Sequence, residues 1–392
     1  MPQGDFALRA ARVWTMREDG GLIEKPLEDG LVLGKGGLIT AVGAYAQLKN
    51  AAQADIHDLE EAELCPELVN AHAHLGLSHI PADELILGQG FAIWVQSLVD
   101  RLRAPVDEHE VSNAVEAAVA GLAQAGTGLV AEVGGRYLEH VWAALQRNQM
   151  GARVFLEALG FGPPGLVMTT PDEWPLPVPD SAWPSVASAG HALYSTNPKT
   201  LQRAKAWSTA RGLPFSLHLA EDPGETEMLM HGTGPLVEYY RRMGVLPSDY
   251  RPPGMRPVAY AHSLGLLDHR TLAVHGVTVS DQDIELLAAS GVTVVLCPRS
   301  NATIGVGRAP CEKYLRTGVP VALATDGLCS ASDLNVLAEL RYWLERLEVE
   351  LPAAQALAAI TRTPARALAG SNQANAGMLI PGAPARLTVL SA

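Results

Sequence analysis

The sequence predicts an α/β protein: a (β/α)8 TIM barrel with a small β-sandwich formed by the two ends of the chain. From Cys65 onward, apolar runs of strand length alternate with stretches whose apolar residues recur at helical spacing. Eight such units in series indicate a barrel. Shorter β-like runs lie before and after this series. We therefore expect half of the sandwich at 1–60, the barrel at 61–372 and the other half of the sandwich at 373–392.

The eight expected barrel strands are apolar runs of strand length. In chain order they are 65–75, 128–133, 153–159, 192–194, 214–219, 271–275, 292–297 and 319–326. Helical spacing of apolar residues is clearest at 111–125, 198–211 and 281–289. Residues 161–190 break the pattern, because they are rich in proline and carry Trp174 and Trp183. A loop this long is usually functional or disordered, and it could either cover a pocket or replace an outer helix.

The β-like runs at the chain ends are short and are separated by glycine and aspartate turns. At the N-terminal side they are 7–14, 30–33 and 38–42, and the tail from 377 to 390 is β-like again. We expect the tail to pair with the N-terminal strands and to complete the sandwich beside the barrel.

Composition excludes several classes of protein. Of the 392 residues, 42 are acidic and 29 are basic, and the formal net charge of −13 argues against a nucleic-acid-binding face. The sequence shows neither an apolar run long enough to span a bilayer nor an N-terminal signal segment. Four scattered cysteines do not form a disulfide framework. We expect a cytoplasmic protein that binds a small molecule, neither nucleic acid nor membrane, with an acidic surface compatible with a homodimer.

His72-Ala73-His74, at the end of the first strand run, is the clearest candidate for half of a metal site. Residues two apart on a strand project to the same side, and histidine is the commonest protein metal ligand. Since the carboxyl ends of barrel strands share one face, polar residues that end other strands should converge on this pair. They are His191 at the start of strand four, His218 and Glu221 on strand five, His275 on strand six and Asp326 on strand eight.

Three histidines and one carboxylate match a catalytic site for one divalent metal ion that keeps a position for water. The expected ligands are His72, His74, His218 and Asp326. Zinc is the first choice, and iron or manganese suits the same set. Glu221 and His275 are then left as the groups that transfer protons.

The motifs around these residues resemble those of the amidohydrolase superfamily, in the branch of cytosine, guanine and adenosine-type deaminases and related chlorohydrolases. The similar segments extend over nearly the whole chain: PELVNAHAHL (66–75), HLAE (218–221), VHGVTVSD (274–281), CPRSN (297–301) and TDGLCSASDLN (325–335). The resemblance implies one metal ion on the four expected ligands, with proton transfer by Glu221, His275 and Asp326.

Strand four carries a further part of the resemblance. HALY (191–194) is similar to the HAPY segment of that branch, whose histidine contacts the substrate, so His191 is an expected substrate-binding residue. Binuclear relatives place a carboxylated lysine at the end of strand four. The nearest candidate here, Lys199, falls beyond the strand after Pro198, which favours a single metal ion.

For a 6-aminopurine, the resemblance implies that a metal-activated water attacks C6 and that ammonia leaves. Asp326 would accept a proton from the water, His275 would position it, and Glu221 would protonate the ring nitrogen beside C6. We therefore expect a metal-dependent deaminase of an adenosine derivative. Two alternatives remain: an amidohydrolase or chlorohydrolase acting on another cyclic amide or substituted heteroaromatic ring, and an inactive barrel with a binding role.

Residues 90–95 resemble the substrate loop of deaminases that act on aminodeoxyfutalosine, S-adenosylhomocysteine or methylthioadenosine. Of these three substrates we rank aminodeoxyfutalosine first and leave the other two unordered. Trp94 would stack on a purine or anchor the following helix. Glu84 or Gln89 would bind hydroxyls of the ribose.

Overall fold

Eight buried apolar strands build the centre of the fold. The computed structural model describes residues 4–20, 22–162, 170–174, 185–370 and 375–390. Among them, the eight strands form one parallel sheet whose spatial order is the chain order, which confirms the predicted barrel. The strands are β8 (Leu68–Ala73), β9 (Thr127–Gly134), β10 (Gly151–Ala158), β11 (Ser185–Ala192), β12 (Phe215–Leu219), β13 (Thr271–His275), β14 (Thr293–Leu296) and β15 (Val321–Leu323).

The first and last barrel strands meet through backbone and side-chain bonds. Ala73 and Asp326 form a parallel bridge, and the Asp326 amide donates to the His72 carbonyl at 3.1 Å. Fully buried Asn70 donates through Nδ2 to Thr325 Oγ1 at 2.7 Å, and its Oδ1 accepts from the Thr325 amide at 3.2 Å. Because both ends of the buried Asn70 side-chain amide are hydrogen-bonded, the two bonds fix the position of Thr325 relative to β8. The closure therefore fixes the end of β8 beside the segment that follows β15.

A smaller mixed sheet collects strands from both ends of the chain. Its strand order is β16-β7-β1-β4-β5, with β6 also paired to β1. These strands are β1 (Phe6–Val13), β4 (Leu27–Lys35), β5 (Leu38–Ala44), β6 (Ile56–Asp58), β7 (Glu63–Pro66) and β16 (Leu387–Leu390). A two-stranded hairpin, β2 (Glu18–Asp19) and β3 (Leu22–Ile23), lies apart from it.

Two strand predictions near this sheet need correction. The run predicted as one strand at 65–75 is two strands, because β7 pairs with β1 and β16 before the chain enters the barrel as β8. Of the tail predicted as β-like at 377–390, only 387–390 forms a strand, and that strand pairs with β7. The turn before this strand also contacts β5 of the N-terminal half: Leu38 and Pro384 form an antiparallel bridge. The Ile39 amide donates to the Ala383 carbonyl at 2.8 Å, and the Gly382 amide donates to the Ile39 carbonyl at 2.8 Å.

Helices connect the barrel strands, and the three predicted from periodicity are confirmed as α3, α5 and α9. The helices are α1 (Tyr45–Leu48), α2 (Phe91–Arg103), α3 (Glu108–Gln124), α4 (Leu138–Arg147), α5 (Pro198–Ala210), α6 (Pro223–His231), α7 (Pro235–Arg242), α8 (Pro257–Ser263), α9 (Asp281–Ser290), α10 (Pro298–Ile304), α11 (Cys311–Arg316), α12 (Val336–Arg341), α13 (Ala353–Ala358) and α14 (Arg362–Ala369). Within the described ranges, each helix is too short or too polar to cross a bilayer. All four cysteines are buried and unpaired, as expected.

The fourth barrel strand begins earlier than predicted. It covers Ser185–Ala192, so His191 lies near its end and not at its start. The strand consists mostly of small and polar residues, so the sequence shows no apolar run there, and pairing with β10 and β12 stabilises it. A Cβ on Gly190 would come within 2.2 Å of Leu201, so glycine allows α5 to pack closely. Of the proline-rich stretch before it, Trp174 follows a short 3-10 turn at Pro171–Glu173, and Trp183 lies outside the described residues.

Candidate active site

Three histidine nitrogens meet at the carboxyl ends of the barrel strands. His72 Nε2 lies 3.0 Å from His74 Nε2 and 3.2 Å from His218 Nε2. Asp326 Oδ1 completes the group at 3.6 Å from His72 Nε2 and 3.3 Å from His74 Nε2. The structure therefore brings together all four residues that the sequence predicts as metal ligands, and the three histidines alone form a group that could hold a metal ion.

The other ring nitrogens determine which histidine nitrogens are free to bind. His74 Nδ1 donates to the Val133 carbonyl at 2.7 Å, and His218 Nδ1 donates to the His191 carbonyl at 2.9 Å. Because a carbonyl oxygen only accepts, the proton of each neutral ring is on Nδ1 and the lone pair is on Nε2. Hydrogen bonds of this kind are the usual support of metal-binding histidines. The Nε2 lone pairs thus point toward the common centre.

The charge states of this cluster also suit a cation. Burial lowers the pKa of His72 to about 4 and holds the pKa of His218 well below its ordinary value. Burial alone would raise the pKa of Asp326, but the neighbouring imidazoles outweigh it and hold that pKa well below its usual range. Neutral imidazoles and an ionised carboxylate are the forms that bind metal ions.

Two serine hydroxyls hold Asp326. Ser300 Oγ donates to Asp326 Oδ2 at 2.6 Å, and Ser330 Oγ lies 2.9 Å from the same oxygen. Both serines are fully buried. Because Oδ2 is occupied, Oδ1 is the oxygen that faces the histidines. The sequence motifs contained these serines, but their contact with the carboxylate becomes visible only in three dimensions.

A second pair of ionisable groups lies beside the histidine cluster. His275 Nε2 is 3.4 Å from Glu221 Oε1, and His275 Nδ1 donates to Asn301 Oδ1 at 3.0 Å. Tyr194 donates its hydroxyl to Glu221 Oε2 at 3.1 Å. Burial, and then the charge of Asp326, raise the pKa of Glu221 well above its ordinary value. The environment of Glu221 therefore favours the protonated carboxylic acid over the carboxylate.

Backbone strain marks the same strand ends. Ala220, His275 and Asp326 have φ angles of 53°, 75° and 61°, in the left-handed region that favours glycine. Each such residue costs on the order of 1–3 kcal/mol, so the surrounding structure must hold it in place. The strain directs His275 and Asp326 into one cavity.

This cavity has a volume of about 860 Å³, and its lining includes His74, His218, Glu221, His275 and Asp326. Trp94 lines it from α2, is buried and stacks on Phe91 with ring centroids 6.0 Å apart. His191 also lines it, and its Nδ1 lies 2.6 Å from Ser195 Oγ. The expectation for Glu84 is not supported, because it lies outside the cavity lining and its exposed carboxylate pairs with Arg101 at 2.8 Å.

Sequence reasoning missed two carboxylates at the ends of β9 and β10. Glu132 accepts from the amides of Leu75 and Gly76 at 2.7 and 3.3 Å, and burial raises its pKa to about 8. Glu157 lines the cavity, and burial raises its pKa to about 7. A glutamate near the end of an otherwise apolar strand is the signal that could have found both, since charged residues are almost never buried without a partner.

Comparisons with known proteins agree with this geometry. A 5-methylthioadenosine/S-adenosylhomocysteine deaminase of Nitratidesulfovibrio vulgaris is 31% identical over 385 residues, covering 93% of this chain and 80% of the relative. An aminodeoxyfutalosine deaminase of Deinococcus radiodurans is 27% identical over 342 residues, covering 78% of this chain and 74% of the relative.

Solved structures show the same fold. Helicobacter pylori aminofutalosine deaminase in complex with methylthio-coformycin superposes with a TM-score of 0.83 at 24% identity, covering 98% of this chain and 91% of that one. A zinc-bound adenosine deaminase from Xanthomonas campestris gives a TM-score of 0.75 at 24% identity, covering 98% and 84%. The family model described as the amidohydrolase family matches residues 64–392, and with the identity to the Nitratidesulfovibrio relative this shows that the chain belongs to the amidohydrolase family.

Proposed function

We propose that this protein is a metal-dependent hydrolytic deaminase of a 6-aminopurine nucleoside. The observation that carries the proposal is Glu221, a buried carboxyl 3.4 Å from His275 whose pKa is raised well above its ordinary value, in the same cavity as the histidine and aspartate cluster. Replacing an amino group on a purine requires a proton on the ring nitrogen beside C6, and a carboxylic acid that stays protonated at neutral pH can supply it.

The residues present fit a divalent cation. The Nε2 atoms of three histidines and Asp326 Oδ1 face one another across 3.0–3.6 Å, and hydrogen bonds from Nδ1 leave the Nε2 lone pairs of His74 and His218 free for a cation. His72, His74, His218 and Asp326 would hold the ion, and three nitrogens with one oxygen suit zinc, iron or manganese. When bound, the ion supplies Lewis acidity that makes water a nucleophile at neutral pH.

The protein groups divide the proton transfers. Asp326, ionised and held by two serines, accepts a proton from the attacking water. His275 has its Nδ1 engaged by Asn301, so its Nε2 orients that water. Glu221 gives its proton to the ring nitrogen beside C6, which makes that carbon electrophilic. Water adds at C6, the proton on Asp326 passes to the amino group, which leaves as ammonia, and the proton of the new hydroxyl returns to Glu221. The net change is one amino group replaced by one oxygen.

Substrate binding in this proposal uses the rest of the cavity. Its volume of about 860 Å³ lies within the usual range for small-molecule sites, and several apolar residues of α2 line it. Trp94 offers an aromatic face for the purine, and His191 offers Nε2. The curated relatives are named for methylthioadenosine, S-adenosylhomocysteine and aminodeoxyfutalosine, and we propose an adenosine derivative of this group, with aminodeoxyfutalosine first.

A substrate panel tests this proposal. Zinc-loaded protein is incubated with the three nucleosides above, adenosine and a cyclic amide, and ammonia and the deaminated product are measured. We expect ammonia in equimolar amount with the product from at least one aminopurine nucleoside. Turnover of a cyclic amide or halogenated heteroaromatic ring without ammonia would favour the other hydrolase class, and no turnover after verified metal loading would refute the proposal.

Several further expectations remain proposals: action in the cytoplasm, assembly as a homodimer, and division of the chain at 60 and 372. The surface charge that motivates the second is the net charge of −13. Light scattering of the purified protein measures the mass of the assembly directly.

A further inference from the structure

Two buried carboxyls at the ends of neighbouring strands differ in their hydrogen bonding: one accepts two hydrogen bonds, and the other accepts none from the described residues. Glu132 on β9 accepts two backbone hydrogen bonds, from Leu75 and Gly76, and so fixes the turn after His74. The described residues give no hydrogen bond to either oxygen of Glu157 on β10, and its Oε1 is fully buried without a partner. The exposed fraction of the Glu157 side chain is 11%. One of these carboxyls has a structural role, and the other lacks one.

The surroundings of Glu157 do not supply the missing partner. Its closest polar neighbour is His218 Nδ1, 3.6 Å from Oε1, but that nitrogen donates to the His191 carbonyl at 2.9 Å. No lysine or arginine among the described residues pairs with it within 4.0 Å. Leaving a buried charged group unpaired is costly, so such a group in a cavity is kept for a ligand. With Oε1 turned toward His218, Oε2 is left for that ligand.

The position of Glu157 indicates which part of a substrate it meets. A carboxylate accepts a hydrogen bond and a protonated carboxyl can also donate one, so the matching ligand group is a hydroxyl, which can do both. In the proposed function, the amino-bearing edge of the purine faces Glu221, His275 and Asp326, which follow strands β12, β13 and β15. Glu157 ends β10, on the other side of His191 and within 4.8 Å of the ring nitrogens of His191 and His218. The opposite edge of a purine carries the sugar.

We infer that Glu157 is the residue that binds a hydroxyl of the substrate's ribose, and that the enzyme therefore requires a nucleoside and not a free base. This inference rests on the proposed function. It assigns to β10 a role that the sequence suggested for Glu84, whose carboxylate pairs with Arg101 outside the cavity. Specificity for the sugar then comes from the barrel wall, next to the metal ligands.

The test compares substrates with and without each hydroxyl. The best nucleoside of the panel, its 2′-deoxy and 3′-deoxy forms and its free base are assayed with wild type, Glu157→Ala and Glu157→Gln. A hydrogen bond to a charged group corresponds to about 10- to 100-fold in affinity or rate. We expect wild type to lose that factor in kcat/KM when the contacted hydroxyl is removed. In Glu157→Ala, kcat/KM for the nucleoside and for its deoxy form should differ by less than about threefold, because the variant has already lost the hydrogen bond that distinguishes them.

Three controls separate binding of the substrate from support of the metal site. Zinc content must stay at the wild-type level in both variants, and Glu157→Gln, of nearly the same shape, guards against a folding defect in Glu157→Ala. Glu116→Gln, which removes a charge from a surface pair with Arg147, controls for a general effect of lost charge. It should keep the wild-type ratio between ribose and deoxyribose substrates.

Three results would overturn the inference while leaving the proposed function intact, because wild type would still release ammonia. These are an equal loss of kcat/KM for ribose and deoxyribose substrates in Glu157→Ala, a loss of zinc in both variants, and free base turned over as well as nucleoside. Collapse of the ribose preference in Glu84→Gln but not in Glu157→Ala would place the sugar at Glu84 and equally overturn it. If wild type deaminates nothing, the proposed function itself has failed.

Discussion

Replacing Glu221 by glutamine removes the acidic proton that this side chain can give to a substrate and changes the shape of the candidate site little. Glutamine has nearly the same shape, and its side-chain oxygen can still accept from Tyr194, which lies 3.1 Å from Oε2 in the native protein. The histidine cluster does not contact this carboxyl, so metal binding should be unchanged. The variant therefore isolates proton donation to the substrate.

The size of the effect follows from the role. Loss of a general acid costs about 10²- to 10⁴-fold in rate, or about 3–5 kcal/mol of transition-state stabilisation. Glu221 fits the upper part of this range, because its side chain is buried and few other groups can supply the proton there. We expect kcat/KM of Glu221→Gln for the best nucleoside to fall at least about a thousandfold, with zinc content unchanged.

The dependence of kcat/KM on pH tests the role of Glu221 independently of the substitution. Burial raises the pKa of Glu221 well above its ordinary value, so the acid keeps its proton to higher pH than a free glutamate and loses it as pH rises through that raised pKa. Because the protonated form is the active one, kcat/KM of wild type should fall on the alkaline side. His275, 3.4 Å away, shares the titration, so the apparent pKa belongs to the pair.

Stopped assays of ammonia release between pH 5 and pH 10, with zinc measured on the same samples, provide the data. Glu116→Gln is the matched control and should behave as wild type. A Glu221→Gln variant that keeps more than about a tenth of wild-type kcat/KM would refute the reasoning. If kcat/KM of Glu221→Gln still fell at alkaline pH as it does in wild type, the reasoning would be refuted as well.

Further substitutions separate the metal site from the core. His218→Ala should weaken zinc binding by more than about tenfold, measured by competition with a chelating dye, and unchanged affinity would show that His218 is not a ligand. Ser300→Ala combined with Ser330→Ala leaves Asp326 Oδ2 without its two hydroxyls, and zinc affinity should fall about 10- to 100-fold, with each single variant in between. Phe155→Ala, in the fully buried core, should lower the free energy of unfolding in urea by about 3–5 kcal/mol, and a loss below about 1 kcal/mol would contradict the packing.

The sequence predicted the barrel and the site because both depend on local patterns. Apolar runs at strand spacing located the strands, and the rule that strand ends share one face placed His72, His218 and Asp326 together. The structure confirms this convergence, with Nε2 of His72 and His218 separated by 3.2 Å. No distance entered that reasoning, only the order of strands.

What the sequence could not predict depends on contacts between distant segments. The strand Ser185–Ala192 is built of small residues and becomes a strand through its two neighbours, so periodicity did not reveal it. The loss of Glu84 from the site follows from its ion pair with Arg101, which no spacing rule indicates. Glu157 was read as part of an apolar run, because its lack of a partner is visible only when its surroundings are known.

Titration of metal-depleted protein with zinc tests the central claim most directly. Bound zinc per chain and ammonia released from the best aminopurine nucleoside are measured on the same samples. The proposed function predicts that both rise together and level off at one zinc ion per chain, with negligible ammonia before zinc is added. Full deamination without metal, or activity that needs two ions per chain, would contradict it.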